Sequence, residues 1–450
     1  MAEDYEPIED NDPEKVLRDF LAQFGIQPGP DGQIDLTKVM ASMQPLMTNF
    51  ATQMAGYGAT DGASGMNWSF ISATAHKVAA AAGDDPTPTP AQRAADADAA
   101  GLAELWLDEA TAFERLATSP ASWSRADWIN ETFAIWQRLV RPIVTNMTKA
   151  IADLAAQGPE DPQMAQLQAM MQPMLRQSAA AMLGSQLGTS LGHLATLAVS
   201  ASDLGLPLIA PPRTVLLTTN VAAFAAGLEQ PEADVTLFLA VREAARQRLF
   251  ASVAWLGPQL LALVEHYARD IHIDPLALEQ AIEGGLNGVT DPADLERLGV
   301  ELSGKLFTPA ITSEQAEVLA RLETLLALVE GWVDDVSTQI IQRWMPNAAS
   351  LVEAVRRRRA AGGPAEQALK DLVGLELRPR RTRDAANLWA AVRTSRGLAE
   401  RDAAWDHPDR VPTAADLDDP LGYAQQEPLD DGPDAMDEAL AKLLNDEQGS

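Results

Sequence analysis

The stretch VREAARQRLF, residues 241–250, decides how this chain is read. Glu243 stands between Arg242 and Arg246, two like residues four apart. On a helix that spacing puts both arginines on one face, a turn apart. Two descriptions fit the residues. In the first, Glu243, Arg246 and Gln247 form a solvated charged surface, each neighbouring pair contributing roughly 0.2–0.5 kcal/mol. In the second, the turn is the remnant of a site whose outer residues have changed.

The second description rests on the zinc-peptidase pattern HExxH. Its two histidines hold the ion from one helical face, and the glutamate between them activates the metal-bound water. A further ligand comes from elsewhere in the chain, often a glutamate, and a nearby carboxylate can steady a ligating histidine. The segment LLALVEGWVDDV, residues 325–336, supplies such a pair: Glu330 and Asp334 lie one helical turn apart. Glu330 fits the ligand position and Asp334 the supporting one.

The chain around these segments is 450 residues long, 46% hydrophobic and only 5% aromatic. Its alanine-rich, β-branched-poor composition predicts a mainly α protein with at most a small sheet. The formal charge of −30 argues against nucleic acid as a partner, because such a surface repels phosphate. The absence of cysteine excludes disulfides, thiolate metal sites and a cysteine nucleophile, and it fits a cytoplasmic location. The N-terminus MAEDYEPIEDNDPEKV is acidic and has no apolar core, unlike a signal peptide. Gln177–Ser202 is uncharged and long enough for a bilayer, but its Gln, Ser, Thr, Gly and His residues predict a buried helix rather than a membrane span. Gly184, Gly188 and Gly192 within it share a face and predict close packing against another helix.

Residues 1–12 read as disordered, 13–82 as an N-terminal helical segment and GDDPTPTP (83–90) as a linker. Residues 91–416 read as the helical body and 417–450 as an acidic, mostly mobile tail. Within the body, SPASWSRADW (119–128) has the Ser and Asp chemistry of a helix start, and a long helix follows with Pro142 inside it. LGLPLIAPPR (204–213) cannot be helical, and RTVLLTTN (213–220) is the most strand-like segment. A helix is expected over Pro231–Leu256, ended by Gly257-Pro258, and another over Ser313–Trp344.

Other chemistry finds little support. The five histidines are His76, His193, His266, His272 and His407, and no two have i,i+4 spacing. His193 reads as a packed histidine and His407 as a loop anchor. No phosphate-binding or dinucleotide glycine fingerprint occurs, and no serine nucleophile elbow. Arg356–Arg359, Arg378, Arg380, Arg381 and Arg383 form a basic island whose expected role is to fix acidic neighbours and helix ends. Trp389 and Trp405, read as loop residues, are expected to pin the C-terminal segment.

Several segments in order resemble a family of large actinobacterial proteins described as hydrolases or zinc-dependent metalloproteases. They are DLGLPL (203–208), NVAAF (220–224), REAARQRLF (242–250), LALVEGWVDDV (326–336), RRRRAAGGPAEQ (356–367), LVGLELRPRR (372–381) and WDHPDRVPTAADLDDP (405–420). A related branch is associated with deazaflavin-coenzyme biosynthesis. The resemblance implies a zincin-like fold. It also implies that Glu243 holds the general-base position and that Arg242, Arg246, Glu330 and Asp334 hold former metal-site positions.

This chain departs from the zinc-binding pattern at both histidines. A guanidinium has no free lone pair, stays protonated, and repels a dication. The expectation is therefore a degenerate site without metal or cofactor. The arginines would face Glu330 and Asp334 in an ion-pair cluster joining two helices. The expected function is a pseudo-protease that binds a peptide or protein in the old cleft. The alternatives are an active zinc hydrolase with Glu243 as base, and a structural scaffold. Oligomeric state is not legible in the sequence.

Overall fold

The computed structural model describes residues 66–156, 162–228, 230–269, 312–345, 348–360 and 381–425. The sequence readings of residues 1–12, His272, Arg378, Arg380 and the far C-terminal tail lie outside them. The described residues divide into two compact units. One contains 66–75, 143–156 and 162–189; the other contains 76–142, 190–269 and the residues from 312 onward.

The elements run in order as α1 (Trp68–Ala81), α2 (Pro90–Leu107), β1 (Ala121–Trp123), α3 (Arg125–Ala156), α4 (Pro162–Leu197), β2 (Val215–Leu217) and α5 (Thr218–Ala226). There follow α6 (Glu232–Ser252), α7 (Leu256–Arg269), α8 (Ser313–Trp344), α9 (Ala349–Ala360), α10 (Thr382–Arg396), α11 (Leu398–Ala403) and α12 (Pro420–Gln425). The fold is mainly α, as the composition predicts. Among the described residues the sheet is a single parallel pair, with Ala121 opposite Val215 and Trp123 opposite Leu217.

Local chemistry sets the helix starts. Thr89 caps α2 and forms a reciprocal capping box with Gln92, with Pro90 in the first turn. Thr312 and Gln315 do the same for α8. Before α3, Ser124 and Asp127 bond to each other's backbone amides at 3.1 and 2.9 Å. The Ser/Asp signal near 119–128 is thus a true helix start, with the short strand β1 just before it. Pro142 does lie inside α3.

Three expectations need correction. The helix read over Pro231–Leu256 stops at Ser252, and α7 leaves at 93° to α6. Gly257-Pro258 belongs to the first turn of α7 rather than ending α6, because the first turn needs no amide from proline. His193 is exposed on α4, while its neighbours Gly192 and Leu194 are buried. Trp389 is on helix α10, not a loop.

Gly188 shows why the glycine face of α4 needs small residues. A Cβ there would meet Thr74 Cβ at 2.6 Å and the Ile71 carbonyl at 2.7 Å. Among the described residues no single helix is long and apolar enough to cross a membrane.

In the second unit, α8 packs against α10, α7 and α6, and α6 also packs against α2. Trp332, Trp389 and Trp405 are buried in this core. Trp389 stacks on Trp405 at 5.3 Å, and Trp255 donates to the Trp405 carbonyl at 2.8 Å. These contacts pin the segment after α11, as expected. Strand β2 is fully buried, and its Leu216 also bridges Ser200, which brings the loop after α4 against α6.

Candidate functional site

Every site residue singled out in the sequence comes together between α6 and α8. Arg246 grips Glu330 with two parallel hydrogen bonds, Nε to Oε1 at 2.8 Å and Nη2 to Oε2 at 3.1 Å. Its remaining nitrogen, Nη1, donates to Glu243 Oε2 at 3.0 Å. Arg242 lies one turn earlier and reaches Asp334 Oδ1 at 2.6 Å and Glu330 Oε2 at 3.4 Å. The solvated-surface description therefore fails. Arg246 is 2% exposed and Glu243 is 0% exposed, while Arg242, Glu330 and Asp334 form a slightly more open rim.

Sequence reasoning did not assign the groups that enclose Glu243. Ser200 Oγ and Ser202 Oγ each donate to Glu243 Oε2 at 2.7 Å. The Ser202 amide donates to Oε1 at 3.3 Å, and Gln247 Nε2 donates to the same oxygen at 2.8 Å. Gly205, at φ +76°, turns this loop so that it passes beside Glu330; a Cβ there would sit 3.4 Å from Glu330 Oε1. The signal was present as the SxSDLG pattern, residues 200–205, but serines in a loop carry no direction until the loop is placed.

The electrostatics follow from the burial. Desolvation pushes the Glu243 carboxyl above its ordinary range, against the opposing pull of Arg246, Gln247, Ser200 and Ser202. Burial acts to lower the Arg246 pKa, but the charges of Glu330 and Glu243 override it and hold the guanidinium above its ordinary value. Arg246 is thus a permanent cation at the centre of the cluster.

This donor set does not fit zinc. The two positions that would present imidazole nitrogens present guanidinium groups, which have no lone pair to give. Glu330, the expected third ligand, has both oxygens committed to arginine. Among the described residues no group of three or more His, Asp or Glu is arranged to hold a metal ion. A carboxylate offers about four lone-pair sites, and five donors already point at Glu243.

Two further buried ion networks flank the site, and neither was anticipated. Asp335, next to Asp334 in sequence, points away from α6. It accepts from Arg401 Nη1 at 2.8 Å and Arg393 Nη2 at 3.0 Å. Arg401 also binds Asp402, whose oxygens accept from Trp332 Nε1, Thr111 Oγ1 and the Ala112 amide at 2.9, 2.6 and 2.7 Å. On the other side of α6, the fully buried Arg248 pairs with Glu104 at 2.6 Å and donates to the Phe113 carbonyl. The basic island is partly structural, as expected: Arg381 donates to the Ala414 carbonyl and pairs with Asp418.

The family model for zincin-like metallopeptidases matches residues 66–424. The chain belongs to that family. A search of curated proteins returns no match for this zincin-like protein. Its fold resembles the crystal structure of a candidate hydrolase with a novel fold from Chloroflexus aurantiacus, with a TM-score of 0.53 and 18% identity. The match covers 80% of this zincin-like chain and 97% of the other. At that identity the likeness concerns the fold alone.

Proposed function

We propose that this zincin-family chain does not hydrolyse peptides by zinc chemistry and acts instead as a non-catalytic binding protein for a peptide or protein segment. The observation that carries the reading is the Arg246–Glu330 fork in the position of a metal–ligand contact. The saturated hydrogen bonding of Glu243 supports it, because an activating base needs a free lone pair aimed at water. The same zincin frame retained around an altered centre supports a role in recognition. Arg242, Glu330 and Asp334, 7–9% exposed, are the part of the cluster that solvent still reaches, and they are where a bound chain would meet it.

The hydrolase description of the Chloroflexus protein favours a second reading, an active hydrolase. That activity would require Glu243 to shed Ser200 and Ser202 and would need ligands other than the two arginines.

Metal analysis of zinc-saturated, dialysed protein, together with a peptide-library cleavage assay, tests the first reading. The expected result is substoichiometric zinc and no cleavage that Glu243→Gln alters. One zinc per chain, with cleavage abolished by Glu243→Gln, would overturn it. Peptides selected from a display library should bind the wild type and bind Arg242→Glu more weakly.

A further inference from the structure

At one corner of the second unit, α2 and the end of α8 leave apolar surface open. Leu102 and Leu105 are 37% and 54% exposed, and Trp344 is 45% exposed. Trp344 stacks on Trp106 at 6.0 Å, which joins the three into one patch, and the Arg343 guanidinium lies over the Trp344 ring. The patch exposes roughly 300 Å², far less than the ~800 Å² per partner of a stable dimer interface. That area suits one face of a short helix. The chain carries such a segment beyond residue 424, where the family match ends. In MDEALAKLL, residues 436–444, Met436, Leu440, Leu443 and Leu444 recur at i, i+4, i+7 and i+8, on one helical face. We propose that residues 436–444 dock as a helix on Leu102, Leu105 and Trp344 and tie the end of the chain to α2 and α8. This contact is separate from the Arg246–Glu330 cluster and does not depend on what that cluster does.

The segment is within reach. Arg396 holds the carbonyls of Tyr423 and Ala424 at 2.6 and 3.0 Å, and Arg393, one turn earlier, pairs with Asp335. From Asp335 to Trp344, α8 rises roughly 14 Å. Adding the side-chain links puts Ala424 no more than about 40 Å from Trp344. The extended chain from Ala424 to Met436 also covers roughly 40 Å, so the segment arrives even by the longest path. Tethering supplies what so small a patch lacks, because an attached segment is present at roughly millimolar effective concentration. Charge does not drive the contact. The chain carries −30 and residues 426–450 are acidic, so repulsion opposes docking and the apolar face must carry it. Glu438, Lys442 and Asn445 fall on the opposite face of the segment. The cations at the patch edge, Arg343 and Arg115, already pair with Glu109 and Asp108.

The chain has no cysteine, so an introduced pair reports only on itself. The test is Leu105→Cys with Leu440→Cys in the full chain, oxidised in dilute solution and run on non-reducing gels. The expected result is a disulfide within one chain. It should form roughly tenfold more slowly once Met436→Ser and Leu444→Ser remove the apolar face and leave the tether. Equal rates with and without that face would overturn the proposal, as would no disulfide within the chain. A disulfide between two chains would overturn it in favour of a second copy on the patch. A further measurement needs no cysteine, because Lys442 is the sole Lys or Arg in residues 426–450. Trypsin should cut there several-fold faster in Leu105→Ser, an exposed change that leaves the body folded, than in the wild type. Cleavage of that variant at the wild-type rate would sink the docked helix.

Discussion

Arg246 and Glu330, 84 residues apart in the chain, are joined by two hydrogen bonds of 2.8 and 3.1 Å that fasten α6 to α8. The pair is worth less than its geometry suggests, because both charges leave water to form it. Its importance lies in what removing one partner exposes.

Arg246→Met leaves Glu330 facing a buried space without its fork and deprives Glu243 of its ion pair with Arg246. Losses of roughly 3–5 kcal/mol are expected for a broken buried pair. Urea unfolding followed by tryptophan fluorescence checks this. The double variant Arg246→Met with Glu330→Leu should lose clearly less than the two single losses added together. Simple additivity would show that the two residues do not interact.

Asp402→Asn strikes the second network. The carboxylate gathers Trp332, Thr111, the Ala112 amide and Arg401, and an amide cannot accept from all four. Destabilisation of about 3–5 kcal/mol is expected, again because a buried cation loses its partner. Trypsin should cut between 398 and 425 sooner than in the wild type. An unchanged digestion pattern would mean that the tryptophan stack alone holds this segment.

Two glycines test packing against helix propensity. Alanine favours a helix over glycine by about 1 kcal/mol. At Gly331 a Cβ would meet Ala385 Cβ at 2.5 Å and the backbone of Ala385 and Ala386 at 2.7 Å. Backbone cannot step aside, so overpacking of about 1–3 kcal/mol should win and Gly331→Ala should lower Tm. Gly101 on α2 has nothing within 4 Å, so Gly101→Ala should raise it.

The buried carboxyl of Glu243 makes stability depend on pH in a definite direction. Its folded pKa lies above the ordinary 4.5. The folded state therefore binds the proton more tightly than the unfolded chain. This group's contribution is fully present below the ordinary value and is lost as pH rises through the folded one. Arg246, Gln247, Ser200 and Ser202 are the groups that face it. Measured against Glu243→Gln, the wild type should lose stability progressively as pH rises above 4.5. A constant difference across that range would show that Glu243 is already ionised throughout.

The candidate site was more legible than most of its surroundings. The REAAR turn and the ExxxD turn are patterns within single helices, where spacing fixes which side chains share a face. Ser200, Ser202 and Asp402 were not legible, because a loop or a short helix has no period that announces its direction. Asp334 and Asp335 make the same point within one helix. They are adjacent in sequence, yet one meets Arg242 and the other meets Arg393 and Arg401. The end of α6 was misplaced because Gly257-Pro258 suits a helix's first turn as well as its end.

By itself the sequence determined the mainly helical class, the exclusion of thiolate chemistry and the identity of the two side chains that cannot ligate a metal. Those are properties of composition, periodicity and functional groups, and they hold in any tertiary arrangement. Only the folded structure decided that Arg246 closes on Glu330 and that two serines seal Glu243 from water. Burial and the distance between remote segments arise from packing, and packing turns an ordinary pattern of charges into a dry, fully paired cluster.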